Sequence, residues 1–246
     1  PGAVTTCTAD ITVLLALGAM RRAKDGIKAV AEGSWSPPDG LLGRELAGKT
    51  VGIIGLGRIG CAVAARLVPY SISTILYTSR SIQYEKESGL RAISSAYQAL
   101  ENTVADSHSI SNQLTVRRVE LETLLRLSDL VIVTCALNPE TYHLINETRL
   151  AMMKPSAVLV NSARGGIVDG YALAAALDNN ALFAAGLDVT DPEPIPISHP
   201  LTSHPKCLIL PHLGFATTVT HNRTAAFALI NLISGAVGLD LPFKIV

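Results

Sequence analysis

The chain has 246 residues, of which 48% are hydrophobic and only 16% charged, with Lys+Arg and Asp+Glu balanced at 20 each. That is enough apolar material for one large core or two small ones, and the even charge argues against a nucleic-acid partner or an acidic surface. The four cysteines (Cys7, Cys61, Cys135, Cys207) are far apart and form no C-x-x-C pair; three lie in apolar runs, as reduced thiols of a cytoplasmic protein do.

No signal peptide is visible, and the apolar run from Ile11 to Met20 is shorter than the roughly 20 residues a membrane span takes. The chain opens on Pro1 rather than Met, as a fragment or processed product would. Residues 8–32 read as one long helix whose first half is apolar all round, and which is therefore buried in a core or against a partner subunit. A Gly/Pro/Ser-rich connector (33–48) leads into a strand at 50–55. That strand runs straight into Gly55-Leu56-Gly57-Arg58-Ile59-Gly60, and a helical pattern follows at 61–68. Strand, G-x-G-x-x-G and helix in this order suit a dinucleotide pyrophosphate. Gly55 permits the sharp turn, Gly57 lets the backbone approach phosphate, and Gly60 lets the helix sit close to the strand. The helix N-terminus offers its free N–H groups and positive dipole end to the anion.

A short strand follows at 74–78, then a polar stretch without period at 94–115, which contains His108 and reads as a surface loop with a helical turn near 96–100. Apolar runs at 130–135, 157–161, 183–189 and 207–210 read as strands covered on both faces, with helical patterns at 120–126, 148–152, 171–178 and 217–233. Repeated strand–helix alternation predicts an α/β fold with a doubly wound parallel sheet.

Three polar runs follow apolar strands, at the sheet edge where such folds bind ligands. Asn161-Ser162-Ala163-Arg164-Gly165-Gly166 carries Arg164, Asp188-Val189-Thr190-Asp191-Pro192-Glu193 carries Glu193, and Pro211-His212-Leu213-Gly214 carries His212. His199 and His204 flank a proline-rich loop with too few further ligands for a metal site, so no metal is expected.

These runs, with the glycine turn, Leu76-Tyr77-Thr78-Ser79-Arg80 and Leu150-Ala151-Met152-Met153-Lys154-Pro155, resemble the cofactor half of the D-isomer-specific 2-hydroxyacid dehydrogenases, and among them the glyoxylate/hydroxypyruvate reductases. The resemblance covers nearly the whole chain outside 94–115. It implies a Rossmann-type NAD(P)-binding domain over 1–246: hinge, long helix and connector at 1–48, a core at 49–215 with the polar insertion 94–115, and a C-terminal helix and hinge at 216–246. It implies hydride transfer to a small 2-oxo acid, with Arg164 holding the substrate carboxylate, His212 as acid and base, and Glu193 supporting the imidazole. By the same resemblance Asp188 bonds the nicotinamide amide, and Thr8, Cys135, Pro139, Ser162, Ala163 and Gly214 lie near the cofactor, with Gly55, Gly57, Arg58, Ile59 and Gly60 at the pyrophosphate. Helix 8–32 matches a dimer-contact element, so a homodimer is expected.

NAD-preferring sites usually end the second strand with a carboxylate that accepts from the ribose 2′-OH. Here Thr78-Ser79-Arg80 stands in that place. Arg58 and Arg80 can pair with a 2′-phosphate and Ser79 can donate to it, which predicts NADP(H) as the preferred cofactor with NAD(H) also accepted. The chain departs from the family pattern in three respects: the substrate domain is largely missing, Phe215 follows His212-Leu213-Gly214 where a smaller residue is usual, and 94–115 is inserted. Two alternatives to a reductase remain open, an NAD(H)-sensing corepressor-like binding module and an inactive truncated cofactor-binding fragment.

Overall fold

The computed structural model describes residues 2–35, 42–104 and 113–243. Seven strands form one sheet: β1 (Thr50–Ile54), β2 (Thr74–Thr78), β3 (Thr115–Arg118), β4 (Leu130–Val133), β5 (Val158–Asn161), β6 (Ala184–Leu187) and β7 (Cys207–Ile209). Their order is β3-β2-β1-β4-β5-β6-β7, and every pairing is parallel. This is the doubly wound Rossmann arrangement. Because all strands run the same way, their C-terminal ends share one edge.

Strand residues alternate between two apolar layers. Val51, Ile53, Ile75, Tyr77, Ile132 and Val160 face α1 (Thr5–Met20) and α3 (Arg58–Leu67), packing with Leu15, Ala16, Val63 and Leu67. Ile54, Leu76, Val131, Val133 and Leu159 face α5 (Leu121–Leu127), α6 (Glu147–Leu150) and α7 (Gly170–Asp178), against Leu124, Leu150, Leu173 and Leu177. A strand covered on both faces has no polar position to give up, which is why these runs read as continuous apolar sequence.

Two expectations are corrected. The single helix expected at 8–32 is two, α1 and α2 (Ala23–Ala31), broken where Arg22 takes a left-handed conformation at φ 53°. At the break the connector returns over α1, with Arg44 N–H donating to Met20 O at 2.9 Å, and Lys24 is redirected toward β7. In the expected loop at 94–115, residues 94–104 are helix. Helix α4 (Tyr84–Val104) runs through its first part, and β3 begins at Thr115 and pairs with β2. His108 lies outside the described residues. Only Glu87 and Leu90 are buried on the described part of α4, too little to impose a clear apolar period. The remaining helices are α8 (Pro200–Ser203) and α9 (Thr218–Ala236). Among the described residues no helix is long and apolar enough to cross a membrane, and no group of three His, Cys, Asp or Glu could hold a metal.

Lys24 ties α2 to the far edge of the sheet. Its ammonium donates to Thr202 O (3.2 Å), His204 O (2.9 Å) and Cys207 O (3.1 Å), using all three N–H groups on the corner between α8 and β7. Lys24→Met keeps the stem and leaves three carbonyls without this donor. It should cost about 2–3 kcal/mol, read as a lower midpoint in urea with unchanged slope.

Candidate active site

The first β–α turn is built on its glycines. Gly55 has φ +98°, and a Cβ there would lie 2.9 Å from the Cys135 amide nitrogen. A Cβ on Gly60 would strike the Gly55 carbonyl oxygen and lie 2.8 Å from Thr134 Oγ1, so α3 packs against this turn only because Gly60 has none. A Cβ on Gly57 would meet nothing within 4 Å. Gly57 is the N-cap of α3, and no side chain among the described residues caps that helix. An unobstructed glycine before uncapped N–H groups fits a dinucleotide pyrophosphate. Arg58 and Ile59 open the helix beside it, Arg58 exposed and Ile59 lining the adjacent cleft.

That cleft has a volume of about 710 Å³ and lies along the C-terminal edge of the sheet. It brings together Thr8, Ile59, Cys135, Ser162, Ala163, Arg164, Asp188, His212 and Gly214, all expected from sequence. Thr134, Ala136, Leu137 and Val4 line it as well and were not expected; Phe215, noted in the sequence as a departure, stands in its wall. Glu193, Gly55, Gly57, Arg58, Gly60, Pro139, Ser79 and Arg80 are outside this lining. Pro139 is exposed on the loop after β4, and Ser79 and Arg80 follow β2.

His212 Nδ1 and Glu193 Oε2 are 2.8 Å apart, with both side chains about two-fifths exposed (38% and 39%). The other carboxylate oxygen of Glu193 accepts from Thr190 N–H at 3.1 Å, so the glutamate is held at both ends. His212 itself is in the left-handed region at φ 55°. Its N–H donates to Asp188 O (2.9 Å), while the Asp188 carboxylate accepts from Leu213 N–H (2.7 Å) and Gly214 N–H (2.8 Å). Asp188 is 1% exposed, and burial pushes its pKa up although the two amide bonds pull it down. Cys135, in the cleft wall, also has its thiol pKa raised by burial.

Arg164 is exposed, with its guanidinium donating only to the Ala163 carbonyl at 2.6 Å among the described residues. Its loop is shaped by Asn161, whose side chain donates to Arg164 O (2.9 Å) and accepts from Ala163 N–H (3.0 Å). A Cβ on Gly165 would overlap the Thr190 carbonyl, so the Arg164 and Glu193 loops touch backbone to backbone.

Helix α1 closes the floor. Thr8 Oγ1 donates to Gly214 O (2.9 Å), Thr12 Oγ1 donates to Thr8 O (2.7 Å), and the Thr12 and Ser162 hydroxyls are 2.6 Å apart. Thr12 was not among the expected residues. A lone threonine in an apolar helix gives no signal until its partner on another element is known. The arrangement offers a fixed imidazole–carboxylate pair, a guanidinium with unused donors, and a glycine turn opening into the same cleft. It can hold a carboxylate and a dinucleotide side by side, with the imidazole placed to exchange a proton with the bound carboxylate's neighbouring oxygen.

Comparison with known proteins supports the same assignment. The family profile described as D-isomer specific 2-hydroxyacid dehydrogenase, NAD binding domain, matches residues 13–116 and 99–214. A glyoxylate reductase/hydroxypyruvate reductase of Mus musculus is 36% identical over 247 residues, covering 100% of this chain and 68% of the relative. A glyoxylate reductase structure from Paecilomyes thermophila superposes with a TM-score of 0.79 at 34% identity, covering 95% of this chain and 63% of that one. D-lactate dehydrogenase with NAD+ from Lactobacillus jensenii superposes with a TM-score of 0.80 at 25% identity, over 100% of this chain and 70% of that one. Fold, sequence and carboxyl-edge geometry agree, and this chain, an NAD(P)-dependent dehydrogenase, belongs to the D-isomer specific 2-hydroxyacid dehydrogenase family.

Proposed function

We propose that this chain is the NAD(P)-binding domain of a reductase that converts a small 2-oxo acid, glyoxylate or hydroxypyruvate, to its 2-hydroxy acid with NADPH as preferred reductant. The reading rests above all on His212, which lines one cleft with Arg164 and whose Nδ1 is 2.8 Å from Glu193 Oε2. It is supported by the relatives' glyoxylate and hydroxypyruvate reductase names.

In this reading a bound nicotinamide supplies the hydride. Arg164 presents its planar fork to the substrate carboxylate and so places the keto group toward His212. The Nε2–H of His212 gives its proton to the keto oxygen as the carbon takes up hydride; in the reverse direction Nε2 accepts it. Glu193 holds Nδ1, which fixes the ring's orientation and points Nε2 toward the substrate. Asp188 acts on the cofactor's amide side while holding the His212 loop in place. Gly55, Gly57, Arg58, Ile59 and Gly60 receive the pyrophosphate, and Thr8, Cys135, Pro139, Ser162, Ala163 and Gly214 shape the remaining wall. Phe215, edge-on to His212 at 5.6 Å and stacked on His221 at 5.4 Å, narrows the substrate side and favours short 2-oxo acids.

At the ribose end, Ser79 and Arg80 follow β2 with no carboxylate from 78 to 84 to repel a 2′-phosphate. The exposed side chains Leu14 (51%), Ile27 (69%) and Val30 (61%) on α1 and α2 suit a homodimer contact, and four free cysteines suit a reducing, cytoplasmic compartment.

Three outcomes are expected. Calorimetric titration should show NADPH binding at least about tenfold tighter than NADH, as one additional charge-assisted phosphate contact supplies; the reverse order would remove the NADP preference. In a glyoxylate-dependent NADPH oxidation assay, His212→Asn should lower kcat by about 10²–10⁴ and Glu193→Gln by less, with NADPH affinity unchanged. Cofactor binding without wild-type turnover would fit a cofactor-binding domain that needs a substrate domain to turn over, whereas binding of neither nucleotide would overturn the reductase. Sedimentation at micromolar concentration should give a dimer, and Ile27→Asp with Val30→Asp should give monomer with the fold retained.

A further inference from the structure

We infer that Arg118, at the end of β3, is a specificity-determining residue for the 2′-phosphate of the dinucleotide, acting together with Ser79 and Arg80. This rests on the NADP(H) reading above and adds a residue from a different strand to it.

Arg118 stands beside Tyr77 in the β2–β3 register, one residue before the end of β2. Its Nε donates to Ser79 O at 2.7 Å, which brings the guanidinium onto the turn that carries Ser79 and Arg80. With Nε held, the two terminal nitrogens have no hydrogen bond or ion pair among the described residues, and the residue is exposed. A guanidinium pinned through Nε with its outer N–H groups unused is prepared for a phosphate. Arg80 is exposed and likewise without a carboxylate partner among the described residues.

The surroundings brace this turn and pair off the buried carboxylate beside it. Tyr77 is fully buried, and its hydroxyl accepts from Gln83 N–H (2.9 Å) while donating to Glu87 Oε1 (2.7 Å). Glu87 is 8% exposed, and its other oxygen takes Arg91 at 2.9 Å. Arg91 in turn donates to Val116 O at 2.6 Å, on β3 itself. The carboxylate in this corner is thus neutralised inside the fold, while the guanidinium of Arg118 stays outside it. Lys86 adds a further positive charge where it joins α4 to the glycine turn, donating to Leu56 O at 2.8 Å.

The test is calorimetric titration of the full chain and of Arg118→Gln with NADPH, NADH, 2′,5′-ADP and 5′-AMP. Loss of one charge-assisted phosphate contact should weaken NADPH and 2′,5′-ADP about tenfold. NADH and 5′-AMP should stay within about twofold, which also shows the variant folded. Arg117→Gln, which removes the neighbouring exposed charge of the same strand, should leave all four unchanged. Equal weakening of all four ligands by Arg118→Gln, an equal effect of Arg117→Gln, or retention of the wild-type NADPH preference in Arg118→Gln would each overturn the role of Arg118 alone. A wild-type chain that binds NADPH no better than NADH overturns the NADP(H) reading, and this inference with it.

Discussion

Asp188 is the constraint around which the cleft is arranged. Its carboxylate is out of water at the end of β6, where an ionised group is expensive unless it is hydrogen-bonded. The amides of Leu213 and Gly214 meet that need, and the Asp188 carbonyl takes the amide of His212. One residue thereby grips three consecutive amides of the loop after β7. A non-glycine residue in the left-handed region costs about 1 kcal/mol or more, and His212 is held there by this grip. The turn it makes aims the imidazole at Glu193. Gly214 completes the fit, since a Cβ there would lie 2.8 Å from Asp188 Oδ2.

The rest of the cleft follows from one topological fact, that every strand is parallel. Loops that are far apart in sequence leave the same edge and meet there. Their mutual positions are then fixed by contacts too close for side chains, such as Gly165 against the Thr190 carbonyl and Gly60 against the Gly55 carbonyl. Threonines of α1 brace the floor from below, reaching the loop after β5 through Ser162 and the loop after β7 through Gly214. Chemistry carried by three exposed polar side chains thus stands on a buried polar frame.

Much of this was legible in the chain itself. Six of the seven strands were readable, five of them as apolar runs, because a strand buried on both faces cannot hide its composition. The glycine turn was readable because its spacing is a steric requirement. Arg164, Glu193 and His212 were readable because each follows such a strand. The elements that were missed lack those signals. Thr115–Arg118 has one buried residue and lies at the sheet edge, so neither period nor composition marks it. Helix α4 has a thin buried face, and its Ser- and Gln-containing sequence imitates a loop. The break at Arg22 carries no Gly or Pro; it is imposed by the connector returning over Met20 and by Lys24 on the corner at β7. Partnerships such as Thr12 with Ser162, or Arg118 with Ser79, exist only once the register between distant elements is set.

The bracing of α1 also bears on how the chain is made. The Thr8 hydroxyl and its acceptor, Gly214 O, are 206 residues apart in sequence, and α1 otherwise packs against α3 and the sheet. At ribosomal speeds of roughly 5–20 residues per second, α1 waits about 10–40 s between its own synthesis and the arrival of the loop it supports. Through that interval a helix rich in leucine and alanine has only part of its final cover. The same contact that stiffens the finished cleft therefore makes its completion one of the last events in the birth of the domain.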